Sequence, residues 1–363
     1  MREEQKARKE KPRYDGRCRN RTEPREGVDP VIRFKSPREG QTVVEDMVRG
    51  RVVFNNSELD DLIIARSDGT PTYNFTVVVD DMDMEVSHVI RGDDHLNNTP
   101  RQINILKALG QQPPHYGHLP MILGPDGAKL SKRHGAVSVM QYREDGFLPE
   151  AVRNYLVRLG WSHGDQEIFS TEEMVSLFDV ADVNQSASAI NPEKLLWLNQ
   201  HYIKQGDPGL LAEELAWHLD RLGVDYSGGP NLQDVVRCQQ ERARTLLEMA
   251  ENSRFFFQDV ESYEEKAARK NLKAAAAEPL TRVRGRLTAI EEWTPENIHQ
   301  AVIATGEELD LKLGKVAQPI RVAVSGGAVS PPIDATLALL GKDTTLKRID
   351  AAIQWIEENA GDA

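Results

Sequence analysis

Cysteine is almost missing from this chain: Cys18 and Cys238 are the only two in 363 residues, too few for a disulfide framework. A reducing compartment is therefore expected, and with it a cytoplasmic location. No apolar run reaches the ~18 residues that span a bilayer, and no membrane role is expected. The first residues, Met1-Arg2-Glu3-Glu4-Gln5, lack the apolar core of a secretory signal. Positive charge is also short overall, at a net −12. Taken as a sum, that excess argues against a nucleic-acid partner, but distribution matters more. Its distribution is uneven, because residues 1–35 hold twelve Lys/Arg against seven Asp/Glu and leave the remainder acidic. An acidic body with local basic surface suits reversible binding of a polyanion. The length allows two or three domains, each with its own core.

What is present begins with short strand-like segments, Val31–Phe34, Thr42–Val44, Val52–Phe54 and Asp61–Ala65, each bounded by polar residues. A turn, Ser67-Asp68-Gly69-Thr70-Pro71, follows. The run Tyr73 to Asp80, with three valines in a row, reads as a buried strand ending in carboxylates, and His88–Gly92 as a further strand. Thr99-Pro100-Arg101-Gln102 has the form of a capping box that opens a helix carrying Ile103, Leu106 and Leu109. Strand, loop, helix and strand in that order imply part of an open α/β sheet. Beyond it the helix starts are explicit: Pro149, Ser170-Thr171-Glu172-Glu173 and Asn191-Pro192. From about residue 206 the pattern is helical, and the last helix carries Leu346, Ile349, Ile353 and Ile356 on one face.

Three clusters carry chemistry. Lys129-Leu130-Ser131-Lys132-Arg133, between Asp126-Gly127 and His134-Gly135, offers many donors and no competing carboxylate. Such a loop can close over a triphosphate; a solvated basic turn is the other reading. Arg91-Gly92-Asp93-Asp94-His95 falls where a sheet strand ends, the usual place for a ligand in an open α/β fold. There Arg91 can grip a carboxylate in a two-pronged pair, or the loop can pair its own charges. Tyr73 can offer a hydroxyl to the same place or belong to the core. Asp80-Asp81-Met82-Asp83 lacks the rest of a Ca²⁺ loop and reads as a solvated strand end. Cys18 has no second Cys or nearby His to complete a zinc site.

The lysine loop resembles the KMSKS signature of class I aminoacyl-tRNA synthetases, and longer matches narrow the family. Asp68–Phe75, His88–His95, Gly146–Ala151, Lys194–Asn199 and Gly314–Arg321 are together similar to bacterial glutamyl-tRNA synthetases. That resemblance implies an α/β plus all-α chain: the C-terminal half of a class I, Rossmann-like core with an inserted acceptor-binding region, then a helical anticodon-binding region. The expected divisions are 1–72 for the remainder of the acceptor-binding insertion and 73–118 for the second half of the nucleotide-binding fold. Residues 119–205 would hold the KMSKS-type loop and stem-contact helices, and 206–363 the anticodon-binding domain.

By the same resemblance the partners are ATP with Mg²⁺, glutamate and tRNA-Glu, in a monomer. Tyr73 and Arg91 would contact glutamate, Lys132 would bind ATP, and Lys129, Ser131 and Arg133 would complete the catalytic loop. His115-Tyr116-Gly117-His118 imitates the family's His-Ile-Gly-His signature, but Pro120 and a strand-like Met121-Ile122-Leu123 follow where a helix should open, so it is read as a coincidence. The resemblance also implies about a hundred further residues ahead of this chain, holding the first half of the nucleotide fold, the true signature and several glutamate contacts. It places a Cys-x-Cys pair there too, which makes Cys18 an incomplete zinc-site remnant; Asn20 stands where a His ligand would be, and no zinc is expected. A loop without its opposing helix terminus loses preorganised electrostatics, so the chain by itself is expected to be inactive or nearly so. The rival expectations are a noncatalytic tRNA-binding module and, within the enzymes, a glutaminyl-tRNA synthetase.

Overall fold

The computed structural model describes all residues except 1, 10–12, 24–25, 132–137 and 360–363. They fall into two units, one of residues 1–134 and 156–190, the other of residues 135–155 and 191–363.

The first unit is built on a mixed four-stranded sheet. A short helix, α1 (Arg2–Ala7), precedes β1 (Ile32–Arg33), β2 (Gln41–Asp46), β3 (Gly50–Asn55) and β4 (Ile63–Ala65). β1 pairs with β4, and β2 with β3, both antiparallel. Next come α2 (Tyr73–Asp83), β5 (His88–Gly92), α3 (Thr99–Ala108), β6 (His115–Leu119) and β7 (Ile122–Leu123). The strand order is β3-β2-β6-β5, with β6 parallel to both neighbours. Arg91 of β5 lies in register with His118 of β6. On a parallel ladder this puts the two side chains on one face. His115–His118 is thus a strand and not a helix entry.

Two expectations fail here for the same reason. Tyr73–Asp80 is the body of α2, so Asp80-Asp81-Met82-Asp83 closes a helix and not a strand. Phe75 and Val78, three residues apart, pack with Ile105 and Leu106 of α3. Burying that helical stripe outweighs the weak strand preference of three valines. The Thr99…Gln102 capping box is likewise not made: Asn98 occupies the cap position without a side-chain bond, and Thr99 and Gln102 lie inside α3. Both side chains are used elsewhere.

Past the lysine segment the unit continues through the end of helix Pro149–Gly160 and helix Thr171–Leu177, where Ser170 and Glu173 do form a reciprocal capping box. A two-residue strand, β8 (Ser188–Ala189), pairs parallel with β7. Trp161 and Phe169 are fully buried side by side, with ring centroids 5.3 Å apart.

The second unit is helical, with ten α-helices between Pro192 and Asn359 among the described residues. Asn191 caps the first by accepting from the Lys194 amide. One continuous hydrocarbon core runs through the unit, including Leu215, Met249, Val283, Ile320, Leu337 and Ile349. The last helix buries Ile349 and Ile356 on the face its periodicity marked. Among the described residues no helix is long and apolar enough to cross a membrane.

Candidate active site

The parallel pair β5/β6 and the helix α3 between them determine where Arg91 points. Its Nη2 donates to Thr99 Oγ1 at 2.7 Å and to Gln102 Oε1 at 2.9 Å, and its Nε donates to His118 Nε2 at 3.3 Å. Thr99 and Gln102 are three residues apart on α3, hence on one helical face. Gln102 in turn donates to Asn74 Oδ1 of α2 at 3.1 Å. All three groups accepting from Arg91 are neutral, and among the described residues no carboxylate lies within ion-pair distance of it. Two N–H groups on Nη1 have no acceptor among the described residues. A half-buried guanidinium with no carboxylate in ion-pair contact and one edge unused can receive an anion, and its planar geometry favours a carboxylate or phosphate.

Tyr73 opens α2 and is half exposed; its hydroxyl is 3.2 Å from His95 Nδ1. The turn after β5 therefore brings Tyr73, His95 and Arg91 to one end of the sheet. Burial pushes the Asp81 carboxyl up, against the opposing pull of Arg91. The neighbouring Tyr116 hydroxyl is pushed up to about 12, chiefly by burial, which keeps it a neutral group.

The lysine segment is anchored by a tight turn. Gly124 N–H donates to Ala128 O at 2.7 Å, with Gly127 in the left-handed region at φ +75° as a glycine allows. Leu130 N–H then donates to Ile122 O and Lys129 bridges Leu123, so the segment folds back antiparallel on β7. Lys129 Nζ donates to Asp94 Oδ2 at 2.9 Å, and this bond holds the Asp94 carboxyl below its usual range. Lys129 thus meets the loop that carries His95. Ser131 follows outside any helix or strand; Lys132 and Arg133 lie outside the described residues. Cys18 is exposed, and its amide donates to the Tyr14 hydroxyl at 2.7 Å. Among the described residues no group of three His, Cys, Asp or Glu side chains is placed to hold a metal ion.

The sequence reading missed Thr99, Gln102, His118 and Asp46. The first two were absorbed into a capping motif, although their i, i+3 spacing already placed them together. His118 was set aside with the false signature, and Asp46 is an inconspicuous strand end.

A parallel strand pair with Arg91 near its carboxyl end, and a turn from the next strand that carries Lys129 to Asp94, are parts suited to a ligand site in a nucleotide-binding α/β fold. The chain matches the family described as class I tRNA synthetases (E and Q), catalytic domain, over residues 1–197, and an anticodon-binding domain over residues 210–353; it belongs to this family. It is 66% identical over 361 residues to glutamate–tRNA ligase 1 of Alkalilimnicola ehrlichii, covering 99% of this chain and 77% of that protein. Glutamate–tRNA ligase 1 of Nitrosococcus oceani is 64% identical with the same coverage. A crystal structure of a glutamate–tRNA ligase from Elizabethkingia meningosepticum in complex with its amino acid superposes with a TM-score of 0.78 at 30% identity, covering 98% of this chain and 77% of that one. The expected architecture, a class I core portion followed by a helical anticodon-binding region, is what is found.

Proposed function

We propose that the residues of this chain serve the reaction of a glutamate–tRNA ligase: Arg91 holds a carboxylate of glutamate, Tyr73 orients it, and the Lys129–Arg133 segment serves ATP. The observation that carries this reading is the guanidinium of Arg91, held only by neutral acceptors with Nη1 unengaged. In the first step an oxygen of the glutamate α-carboxylate attacks the α-phosphorus of Mg²⁺-bound ATP in line, and the bond to pyrophosphate breaks. Cations of the lysine segment are suited to the charge that builds up on the departing pyrophosphate; Lys132 takes that role by family resemblance, with Lys129, Ser131 and Arg133 beside it. In the second step a terminal ribose hydroxyl of tRNA-Glu takes the glutamyl group and releases AMP. Residues 206–363 read the anticodon, 119–205 carry the loop and stem contacts, 73–118 the nucleotide fold, and 1–72 approach the acceptor end. The protein acts as a monomer in the cytoplasm.

Arg91→Ala tests the site. Glutamate affinity, read by calorimetry, and glutamate-dependent ATP–pyrophosphate exchange with tRNA-Glu are expected to fall on the order of 100-fold. A change within three-fold overturns the assignment. Retained tRNA binding in a filter assay without any exchange by the wild-type chain would instead mark a noncatalytic tRNA-binding protein.

A further inference from the structure

Behind Arg91 lies a buried pair that the proposed reaction does not itself use. His118 and Asp46 have fully buried side chains, and His118 Nδ1 is 2.5 Å from Asp46 Oδ2. The other oxygen, Oδ1, accepts from the amides of Val48 at 3.0 Å, Arg49 at 2.9 Å and His118 at 3.2 Å. Burial alone would push the Asp46 carboxyl up, but the bonds from Arg49, His118 and Val48 outweigh it and hold the group below its usual range. Asp46 is therefore ionised and can only accept, so the proton between the two residues sits on His118 Nδ1.

The far side of the ring is decided by the same accounting. His118 Nε2 faces Arg91 Nε, which can only donate, at 3.3 Å, and Thr99 Oγ1 at 3.0 Å. A proton on Nε2 would meet the Arg91 N–H head-on. Nε2 must accept, and the ring is neutral. Thr99 accepts from Arg91 Nη2 and can turn its own hydroxyl proton either to Nε2, whose lone pair it would share with Arg91 Nε–H, or to the His95 carbonyl at 3.5 Å. The charged groups facing His118 are Asp46 from β2, Arg49 from the turn after it and Arg91 from β5; α3 contributes neutral Thr99 and Gln102, and its own strand the neutral phenol of Tyr116. Burial, and then the two arginines, push His118 down against the pull of Asp46.

We infer that Asp46 and His118 are positioning residues for substrate: the ionised Asp46 fixes His118 as the Nδ1–H tautomer, and its Nε2 lone pair locks the Arg91 guanidinium toward a glutamate carboxylate. The neutral ring is also a spacer. A carboxylate placed directly on Arg91 would compete with the substrate for its charge, whereas a carboxylate one imidazole away orients the arginine and leaves the charge available. This inference rests on the reading of Arg91 as the glutamate contact.

Nitrogen-15 NMR of the histidine rings in the full chain gives the first readout. His118 is expected to be neutral and protonated on Nδ1 at pH 7; an Nε2–H ring or an imidazolium at that pH overturns the inference. Affinities for glutamate and ATP give the second. His118→Asn keeps a donor toward Asp46 but loses the acceptor for Arg91, and should weaken glutamate binding about 10-fold or more while ATP affinity stays within two-fold. His118→Gln, which returns an acceptor near the Nε2 position, should recover part of the loss. In an Arg91→Ala background His118→Asn should add nothing, since its effect passes through Arg91. Additive losses, or ATP affinity falling in step with glutamate, would show a merely structural role. If Arg91→Ala itself leaves glutamate affinity unchanged, the site reading fails; if it acts and His118→Asn does not, positioning alone fails.

Discussion

The two units hold themselves together by different means. In the helical unit a single hydrocarbon core extends from Leu148 to Ile356 and buried polar side chains are scattered through it. In the sheet unit the apolar contacts form small separate groups, Val44 with Ile103 and Tyr116, and Val78 with Ile105 and Leu106. The same unit buries two hydrogen-bonded polar groups, Thr42 with Asn104 and Asn56, and Asp46 with His118, Thr99 and, through Arg91, Gln102. Thr42 donates to Asn56 at 2.6 Å and accepts from Asn104 at 3.1 Å. Helix α3 shows the difference within ten residues: one part of its buried surface is Ile103, Ile105 and Leu106, the other Thr99, Gln102 and Asn104. Hydrocarbon packing is non-directional and tolerates exchange of shape. A hydrogen-bonded interior fixes orientation, which is what a site that must aim an arginine requires. The helical unit is thereby suited to be a robust scaffold, and the sheet unit to be a precise one.

The sharpest way to break this contrast is to look for a place where the helical unit depends on one polar residue. Arg348 is that place. Its side chain is buried in the last helix and donates to the carbonyls of Phe255 at 2.7 Å, Gln258 at 2.8 Å and Val324 at 2.5 Å. These are terminal carbonyls of two other helices, which lack partners within their own turns. Arg348→Ala takes the donor from all three, strands the Val324 carbonyl in a dry interior and opens a cavity, and should cost about 3 kcal/mol in urea unfolding. If the loss stays below about 1 kcal/mol, water replaces the guanidinium and the hydrocarbon core alone sustains the unit.

Acid probes the same contrast through His218. It is almost wholly buried, stacks edge-on against Trp217 at 4.8 Å, and its Nδ1 has no partner among the described residues. Burial, with Arg221 and Arg143 adding to it, pushes this ring down to about 4. The unfolded chain takes up a proton near pH 6.5 while the folded chain resists until about pH 4. The stabilisation from keeping the ring neutral is therefore complete above pH 6.5 and lost as pH falls through that window, up to about 3 kcal/mol. His218→Leu should flatten the pH dependence of unfolding between pH 6.5 and 4 relative to the wild type. Parallel curves for the two proteins would show that His218 does not resist protonation in the folded state.

The same division governs what could be read from the sequence. The helical unit was legible because its signals are periodic and local: Ile349 and Ile356 on one stripe, Asn191-Pro192 at a start, Ser170 and Glu173 as a cap. The sheet unit was legible at its strands and turns and misread at α2, where Val77-Val78-Val79 carries a strand preference and the deciding contact, Val78 against Ile105 and Leu106, is distant in sequence. Within the candidate site, Arg91, Tyr73 and Lys129 stood out as isolated polar groups at element ends. Their partners did not, since the His118–Asp46 contact joins residues 72 apart and follows from strand register, which no local pattern records. Thr99 and Gln102 show a subtler failure: a local motif was present and a tertiary partner took both side chains.

Where no tertiary partner competes, the local motif should contribute its ordinary amount, and Ser170 tests this in the sheet unit. Its hydroxyl accepts from the Glu173 amide at 3.1 Å, and the Glu173 carboxylate accepts in return from the Ser170 amide at 2.7 Å. The backbone bond holds the Glu173 carboxyl below its usual range. The helix this cap starts is only seven residues long, and an isolated helix of that length does not persist in water. Ser170→Ala should therefore cost about 1 kcal/mol and speed hydrogen exchange within Thr171–Leu177, with the amides of β5 and β6 unaffected. Faster exchange that spreads to Arg91 and His118 would mean that the polar interior of the unit depends on this helix, and that the small apolar groups of the sheet unit open as one.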